Sequence, residues 1–222
     1  MMTRANVLAV LGLLALCLSS CGNGSIVIGP HDPAPLPTAP STISELISSL
    51  SDPDYRIRLV ATCALGNMEP AAEPAVPALM AALSDDVSDI RESAADALGE
   101  IGPNAASAVP ALIEILRSDD SVHARVSAAE ALGKIGDDRA VPALADILWD
   151  QEAEEEYISI PIKAAQAIAQ LTGNPFPDSE PGPHGYTLND DGKPLIVIAA
   201  REWWEREGRL QEWPVVDDEQ QR

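Results

Sequence analysis

From residue 42 onward the chain copies itself at intervals of 33, 34 and 36 residues, and this repeat constrains the fold more than any other feature of the sequence. A period of that length marks one supersecondary unit stacked along a line. The phrases Ala64-Leu65-Gly66-Asn67, Ala97-Leu98-Gly99-Glu100 and Ala131-Leu132-Gly133-Lys134 return in register, followed by the degenerate Ala167-Ile168-Ala169-Gln170. A second phrase, Val-Pro-Ala-Leu, begins at Val76, Val109 and Val141, and Ile43-Ser44-Glu45-Leu46 holds its place in the first copy. Each unit therefore contains two helices. In the first helix the apolar slots align as Ile43/Val76/Val109/Val141, Leu46/Leu79/Leu112/Leu144 and Leu50/Leu83/Leu116/Leu148, spaced by three and four, which puts them on one helical face. In the second, Ala61/Ala64/Leu65/Met68, Ala94/Ala97/Leu98/Ile101, Ala128/Ala131/Leu132/Ile135 and Ala164/Ala167/Ile168/Leu171 form the matching stripe. Alanine and the Gly66/Gly99/Gly133 slot let second helices approach closely, while leucines of the first helices fill the space between layers. Gly102 and Gly136 suit left-handed C-caps, and Pro77, Pro110 and Pro142 suit a first helical turn.

A polar pattern repeats with the core. Asp52, Asp85 and Asp119 each lie six residues before Arg58, Arg91 and Arg125, so every inter-helix turn carries an acid and the following helix a base. With its two-helix period this resembles the HEAT repeat, particularly the short bilin-lyase-like variety, over roughly residues 42–173. The resemblance implies an all-α, right-handed solenoid of about four helical hairpins, in which these Asp and Arg residues bond across to the neighbouring unit as a ladder. The fourth unit departs from the pattern: Pro161 occupies the Arg slot, and Asp150 to Glu156 lengthens the turn. Ankyrin and tetratricopeptide repeats share the period, but neither the Thr-Pro-Leu-His phrase of the one nor the Trp and Tyr signature of the other is present.

No single unit can bury its apolar face, so the ends of the array need protection. A Pro- and Gly-rich loop, 174–194, leads to Leu195–Gly208, which reads as a capping helix ahead of an acidic tail ending at 222. Trp203 and Trp204 on it are expected to pack against Trp149 and the last leucines rather than to form a ligand platform.

The N-terminus supplies an address. Arg4 precedes an apolar stretch from Val7 to Leu18, too short for the ~20 residues of a spanning helix, so 1–20 reads as a secretion signal. Leu18-Ser19-Ser20-Cys21 resembles the lipobox of bacterial lipoproteins, which implies lipid attachment at Cys21, a membrane anchor and a location in the bacterial cell envelope, facing periplasm or exterior. The segment from Cys21 to residue 41 is rich in proline and reads as a semi-rigid spacer, which at ~3.1 Å per residue reaches about 60 Å. Cys63 is then the one remaining thiol and can form no internal disulfide; it reads as an inert structural thiol.

Composition decides between classes of partner. A formal charge of −21 repels phosphate backbones, which makes nucleic acid a poor partner. His31, His123 and His184 stand at no metal-ligand spacing, and phosphate loops, nucleophile elbows, Cys-His arrangements and the His-Glu pairs of HEAT-type di-iron hydroxylases are all missing, so the reading is a non-enzyme without metal or cofactor. Asp85-Asp86, Asp119-Asp120, Asp137-Asp138 and Asp190-Asp191 recur at turns, where Asp caps helices more often than it holds metal.

What remains is a surface. Opposite the buried stripe, the second helices stack Leu59/Glu92/Val126/Ile162, Cys63/Asp96/Glu130/Gln166 and Asn67/Glu100/Lys134/Gln170. The HEAT resemblance implies that these line a concave groove, with an apolar lane of Leu59, Val126 and Ile162 beside an acidic lane. The resulting expectation is a monomeric, membrane-anchored scaffold that offers Glu92, Asp96, Glu100 and Glu130, with Lys134 beside them, to a protein or peptide with basic side chains. The alternative is a lyase-like or chaperone-like factor for a chromophore-bearing protein.

Overall fold

The computed structural model describes residues 42–149, 160–177, 187–189 and 194–215; the expected secretion signal, Cys21 and the expected spacer, the turn beginning at Asp150 and much of the 174–194 loop lie outside them. The described chain is helical. Four hairpins follow one another: α1 (Ile43–Ser49) with α2 (Tyr55–Gly66), α3 (Val76–Ala82) with α4 (Ser88–Ile101), α5 (Val109–Ser118) with α6 (Val122–Ile135), and α7 (Val141–Ile147) with α8 (Ile160–Thr172). Helix α9 (Leu195–Arg206) closes the array.

Local chemistry sets the boundaries. Thr42 and Glu45 form a reciprocal capping box at α1, and the side chains of Asp54 and Ser121 cap α2 and α6. Pro77, Pro110 and Pro142 lie in the first turns of α3, α5 and α7, where no amide N–H is missed. Gly102 and Gly136 end α4 and α6 with φ of 71° and 79°, a region that disfavours any side chain. Only Gly136 is in the left-handed helical conformation; Gly102 has ψ of −140°.

Sequence periodicity did not reveal the connections between units. Glu69–Ala75, Gly102–Ala108 and the shorter Asp138–Ala140 are 3-10 turns, and Ala72, Ala75, Ala105, Ala108 and Ala140 on them are fully buried. Single alanines give too weak a stripe to read, yet they let each connection lie flat on the core.

The two aligned rows of leucine are the spine of that core. Leu46, Leu79, Leu112 and Leu144 are at most 3% exposed, and they join Leu65, Leu98, Leu132 and Ile168 in one continuous cluster. The stripe fails at one position: Met68, aligned with the buried Ile101 and Ile135, is exposed, because α2 ends at Gly66.

Second helices meet backbone to backbone. A Cβ built on Gly66 would lie 3.2 Å from the Ala97 Cα, one on Gly99 2.9 Å from the Ala131 Cα, and one on Gly133 3.1 Å from the Ala167 Cα. Helices α2, α4, α6 and α8 therefore pack along their lengths, whereas α5 and α7 barely touch. A row of close-packed helices backed by a row of spread ones curves toward the close-packed side, so the second helices occupy the inner face. Gly99→Ala should cost about 1–2 kcal/mol, as the clash with α6 backbone outweighs the helix propensity gained. Urea unfolding checks this, and a stabilised variant would show that the approach is slack.

The acid–base ladder holds the outer edge of each joint. The Arg58 guanidinium donates to both carboxylate oxygens of Asp85 in the next unit, at 2.7 and 2.9 Å, and to the Asp52 carbonyl oxygen of its own turn. Arg91 repeats this with Asp119, at 2.7 and 2.8 Å, and with the Asp85 carbonyl. Asp86 and Asp120 add a second acid to each guanidinium, which spends those aspartate pairs on arginine. Each ladder aspartate also accepts from the amide two residues on: Asp54 to Asp52, Val87 to Asp85, Ser121 to Asp119. At the third joint Arg125 donates to the Leu116 carbonyl, 3.0 Å away.

Helix α9 covers α8 and α7. Its Arg201 donates through Nε to the Leu148 carbonyl at 2.7 Å, the acceptor aligned with Leu116. A guanidinium from the cap thus reaches the unit whose own Arg slot holds Pro161. Trp149 differs from its expected place: it is 42% exposed and lies under Arg201, 5.8 Å from ring centroid to guanidinium. Trp203 and Trp204 instead gather with Phe176 and Trp213, ring centroids 5.9 to 6.4 Å apart.

Candidate functional site

The inner face is built from three consecutive second helices. Going along α4, then α6, then α8, it presents Glu92, Asp96 and Glu100, then Val126, Glu130 and Lys134, then Gln166 and Gln170. Charges on neighbouring helices are cross-linked by salt bridges. Lys134 Nζ lies 2.6 Å from Glu100 Oε1, and Lys163 Nζ lies 2.5 Å from Glu130 Oε1. Two of the four expected acids are therefore already matched within the chain.

Glu92 and Asp96 are different. Among the described residues neither has an ion-pair partner, and both are partly buried on α4. Burial raises the pKa of Glu92, with the neighbouring Asp96 charge adding to the effect and His123 opposing it. Burial likewise raises the pKa of Asp96, against a hydrogen bond from the Ser127 hydroxyl and the charge of Lys134, and with help from Glu130 and Glu100. Both carboxylates are thus held at a cost when ionised. A folded-state pKa above the unfolded value means that protonation stabilises the fold, so this contribution is complete below about pH 4 and is lost as pH rises through the raised value. Asp96→Asn, which keeps an acceptor for Ser127, should melt higher than the parent at pH 7, with the gap closing toward about pH 4; a lower melting temperature at neutral pH would refute the assignment.

The apolar lane is not an open strip. Ile162 is 7% exposed and Cys63 is buried against the Ser93 hydroxyl, while Leu59 and Val126 are half-buried against the core. The glycine contacts draw the helices close, so that Cys63 and Ile162 are covered, while Leu59 and Val126 reach solvent only in part, as Glu92, Asp96 and Glu130 beside them do. Beside the salt bridges a cavity of about 450 Å³ opens between α6 and the end of α8, lined by Glu130, Lys134, Lys163, Gln166, Gln170 and Asn174. Lys163 and Ser127 have no place in the sequence expectation. They occupy the slot of Ser93, which the periodicity shows as neither core nor surface.

A family model described as HEAT repeats matches residues 43–122 and 94–169, more than half of the chain. The chain is a HEAT-repeat protein. Among curated proteins none matches it. Of solved structures, the HEAT-repeat chain is similar to one in the complex of CpcE and CpcF of phycocyanin lyase from Nostoc sp. PCC7120, at 26% identity and a TM-score of 0.50, over 68% of this chain and 71% of that one. Two engineered proteins each share 25% identity at a TM-score of 0.47; the likeness spans 58% of this chain and 62% of the first, and 60% and 38% for the second. The ladder, the glycine contacts and the all-α solenoid are thus features of a HEAT-repeat scaffold. Among the described residues no three His, Cys, Asp or Glu side chains gather as a metal site, and no helix is long and apolar enough to cross a membrane.

Proposed function

We propose that this HEAT-repeat scaffold binds a protein or peptide partner on its inner face while tethered in the bacterial cell envelope. The observation that carries the reading is the pair Glu92 and Asp96, two partly buried carboxylates that make no salt bridge among the described residues and whose burial outweighs the nearby charges of His123 and Lys134. A basic side chain of the partner would remove the cost of holding both ionised, and that relief is binding energy. The neighbouring Glu100–Lys134 and Glu130–Lys163 pairs are satisfied without a partner, so they frame the contact more than they drive it. The double variant Glu92→Gln/Asp96→Asn keeps the shape and removes the charge. It should fold and yet retrieve at least tenfold less partner in a pull-down with the full chain; undiminished capture would exclude the inner face.

The tether belongs to the same proposal. Lipid on Cys21 anchors the chain, the proline-rich spacer holds the array off the membrane, and the folded part works as a monomer. A single myristoyl-type chain binds membranes only marginally, whereas two or more acyl chains hold firmly. Cys21→Ser should move the protein from the membrane to the soluble fraction of its source cells; unchanged fractionation would refute the anchor.

A second reading is favoured by the likeness to a chain of the phycocyanin lyase complex. In it the scaffold assists a chromophore-bearing protein. Secretion weighs against it, because pigment attachment of that kind takes place in the cytosol. Incubation with free bilin and an acceptor protein separates the two: covalent transfer supports the second reading, and its absence leaves the first.

A further inference from the structure

The inner face changes chemistry at its last helix. The slots filled by Asp96 and Glu130 on α4 and α6 hold Gln166 on α8, and those filled by Glu100 and Lys134 hold Gln170. Here the cavity of about 450 Å³ follows one side of α8 from Lys163 near its start to Asn174 just past its end, with Gln166 and Gln170 between them. Gln170 reaches over the α6 backbone: a Cβ on Gly133 would lie 2.5 Å from its Oε1, so glycine is what admits the amide there. A side-chain amide offers the acceptor and the donors of a peptide group, with capacity for several hydrogen bonds at once. Four residues of α-helix rise ~6 Å and two residues of extended chain advance ~6.6 Å, so the amides at 166 and 170 keep step with every second residue of a strand laid along α8. Asn174 continues the row past the helix end.

We propose that this groove is the dock of residues 25–29 of this chain, Ser25-Ile26-Val27-Ile28-Gly29, laid along α8 in extended form with its peptide groups paired to the amides of Gln166, Gln170 and Asn174. The run is uncharged and has β-branched residues at three successive positions, which suits an extended backbone. Ile26 and Ile28 then fall on one side of it, over the small apolar lining of Ala167, Ala169 and Pro175. Length permits the contact. From Gly29 to Thr42 the chain spans ~40 Å at ~3.1 Å per residue, while the way from α1 past α2 and α4 to the groove crosses fewer than about four interhelix distances of ~9 Å. Other stretches of the chain fit less well. Residues 7–18 are rich in leucine and alanine, which favours helix. Pro30, Pro33, Pro35, Pro37 and Pro40 donate no amide hydrogen bond. The acidic stretches 150–159 and 216–222 would meet Glu130 and no unmatched lysine, because Lys134 and Lys163 are already paired. On either side of 178–186 the backbone is held at the cap, where Phe176 packs on Trp203 and the Thr187 carbonyl accepts from the Leu195 amide. A tethered segment acts at an effective concentration on the order of millimolar, which gives it precedence over a free peptide of equal affinity. A partner laid along α8 must displace it; as regulation of the inner face this rests on the function proposed above, whereas the docking itself does not.

The test places a benzophenone amino acid at position 28 of the full chain, in the cells that make it, and maps the photo-cross-linked peptide by mass spectrometry. The expected product has the mass of one chain and joins position 28 to residues 163–175. Its yield should fall about tenfold or more with Gln166→Leu/Gln170→Leu, which keeps bulk and removes two amides. Ile26→Pro/Val27→Pro keeps an extended backbone and removes two N–H donors outside the folded array. It should lower the yield as much, and it decides the point even if the glutamine variant folds poorly. Glu92→Gln/Asp96→Asn should leave the yield unchanged, which separates the groove from the carboxylate pair. No cross-link, one to another part of the chain, to a second copy or to another protein, or a yield indifferent to the proline substitutions would each overturn the docking. None of these outcomes bears on Glu92 and Asp96, whose pull-down tests the inner face separately.

Discussion

Leu98→Ala is expected to destabilise the array by about 2–5 kcal/mol, measured as the loss of unfolding free energy in urea followed by far-UV circular dichroism. Leu98 is fully buried, on the helix that packs on α2, α3 and α6 at once. In a stacked array each unit is stable only through its neighbours, so the cost is felt on both sides of the second unit. Removing three carbons leaves a gap that the close glycine contacts prevent from collapsing: α4 cannot move toward α6, because Gly99 and Ala131 already touch. The transition should also broaden as the units on either side uncouple. A loss below about 1 kcal/mol would mean that the spine is not where the stability resides.

Asp119→Ala is expected to cost about 3 kcal/mol, because it strips the counter-charge from a largely buried guanidinium. The Asp119 side chain is 4% exposed and that of Arg91 13%. Asp120 remains as a partner, but its side chain is 91% exposed, which places the loss at the low end for a broken buried pair. Arg91→Ala should cost less than Leu98→Ala, since the Asp119 carboxylate keeps the Ser121 amide. The same pair sets an acid limb. Burial opposes ionisation of Asp119, yet the Arg91 guanidinium and the Ser121 amide outweigh it and the pKa is lowered; Asp85 behaves alike with Arg58 and Val87. A depressed folded-state pKa gives stability that is present above the unfolded value, about 3.9, and lost as pH falls through the folded one. Glu92 and Asp96 slope the opposite way, so stability should peak in mild acid and then fall. In Asp119→Ala the low-pH fall should be shallower than in the parent; an identical acid limb would remove the ladder from the explanation.

Much of this molecule was legible because its information is local and repeated. Spacings of three and four place Leu79, Leu112 and Leu144 on one face whatever the surroundings, and a fault in one copy is corrected by reading the next. The family resemblance implied only that these residues bond across to a neighbouring unit; that Arg58 reaches forward to Asp85 is read from the structure. The inner face was less legible. Leu59, Cys63, Val126 and Ile162 all read as surface, since a helical wheel assigns a slot outside the main stripe to solvent. Whether such a slot is covered depends on how near the next helix comes, and that is set by glycines one and two turns away. Arg201 carried no signal at all, because its acceptor at Leu148 lies 53 residues earlier.

Taken by itself, the amino-acid order determined the hairpins, their register and the family, since a repeated amphipathic period admits few other ways to hide its apolar side. Tertiary structure decided the rest: which carboxylates are matched and which are left alone, which end of the line is closed, and which side is the inner one. Those outcomes depend on distances between helices, and interhelical distance comes from packing volumes summed over many residues, which no local stretch of chain encodes.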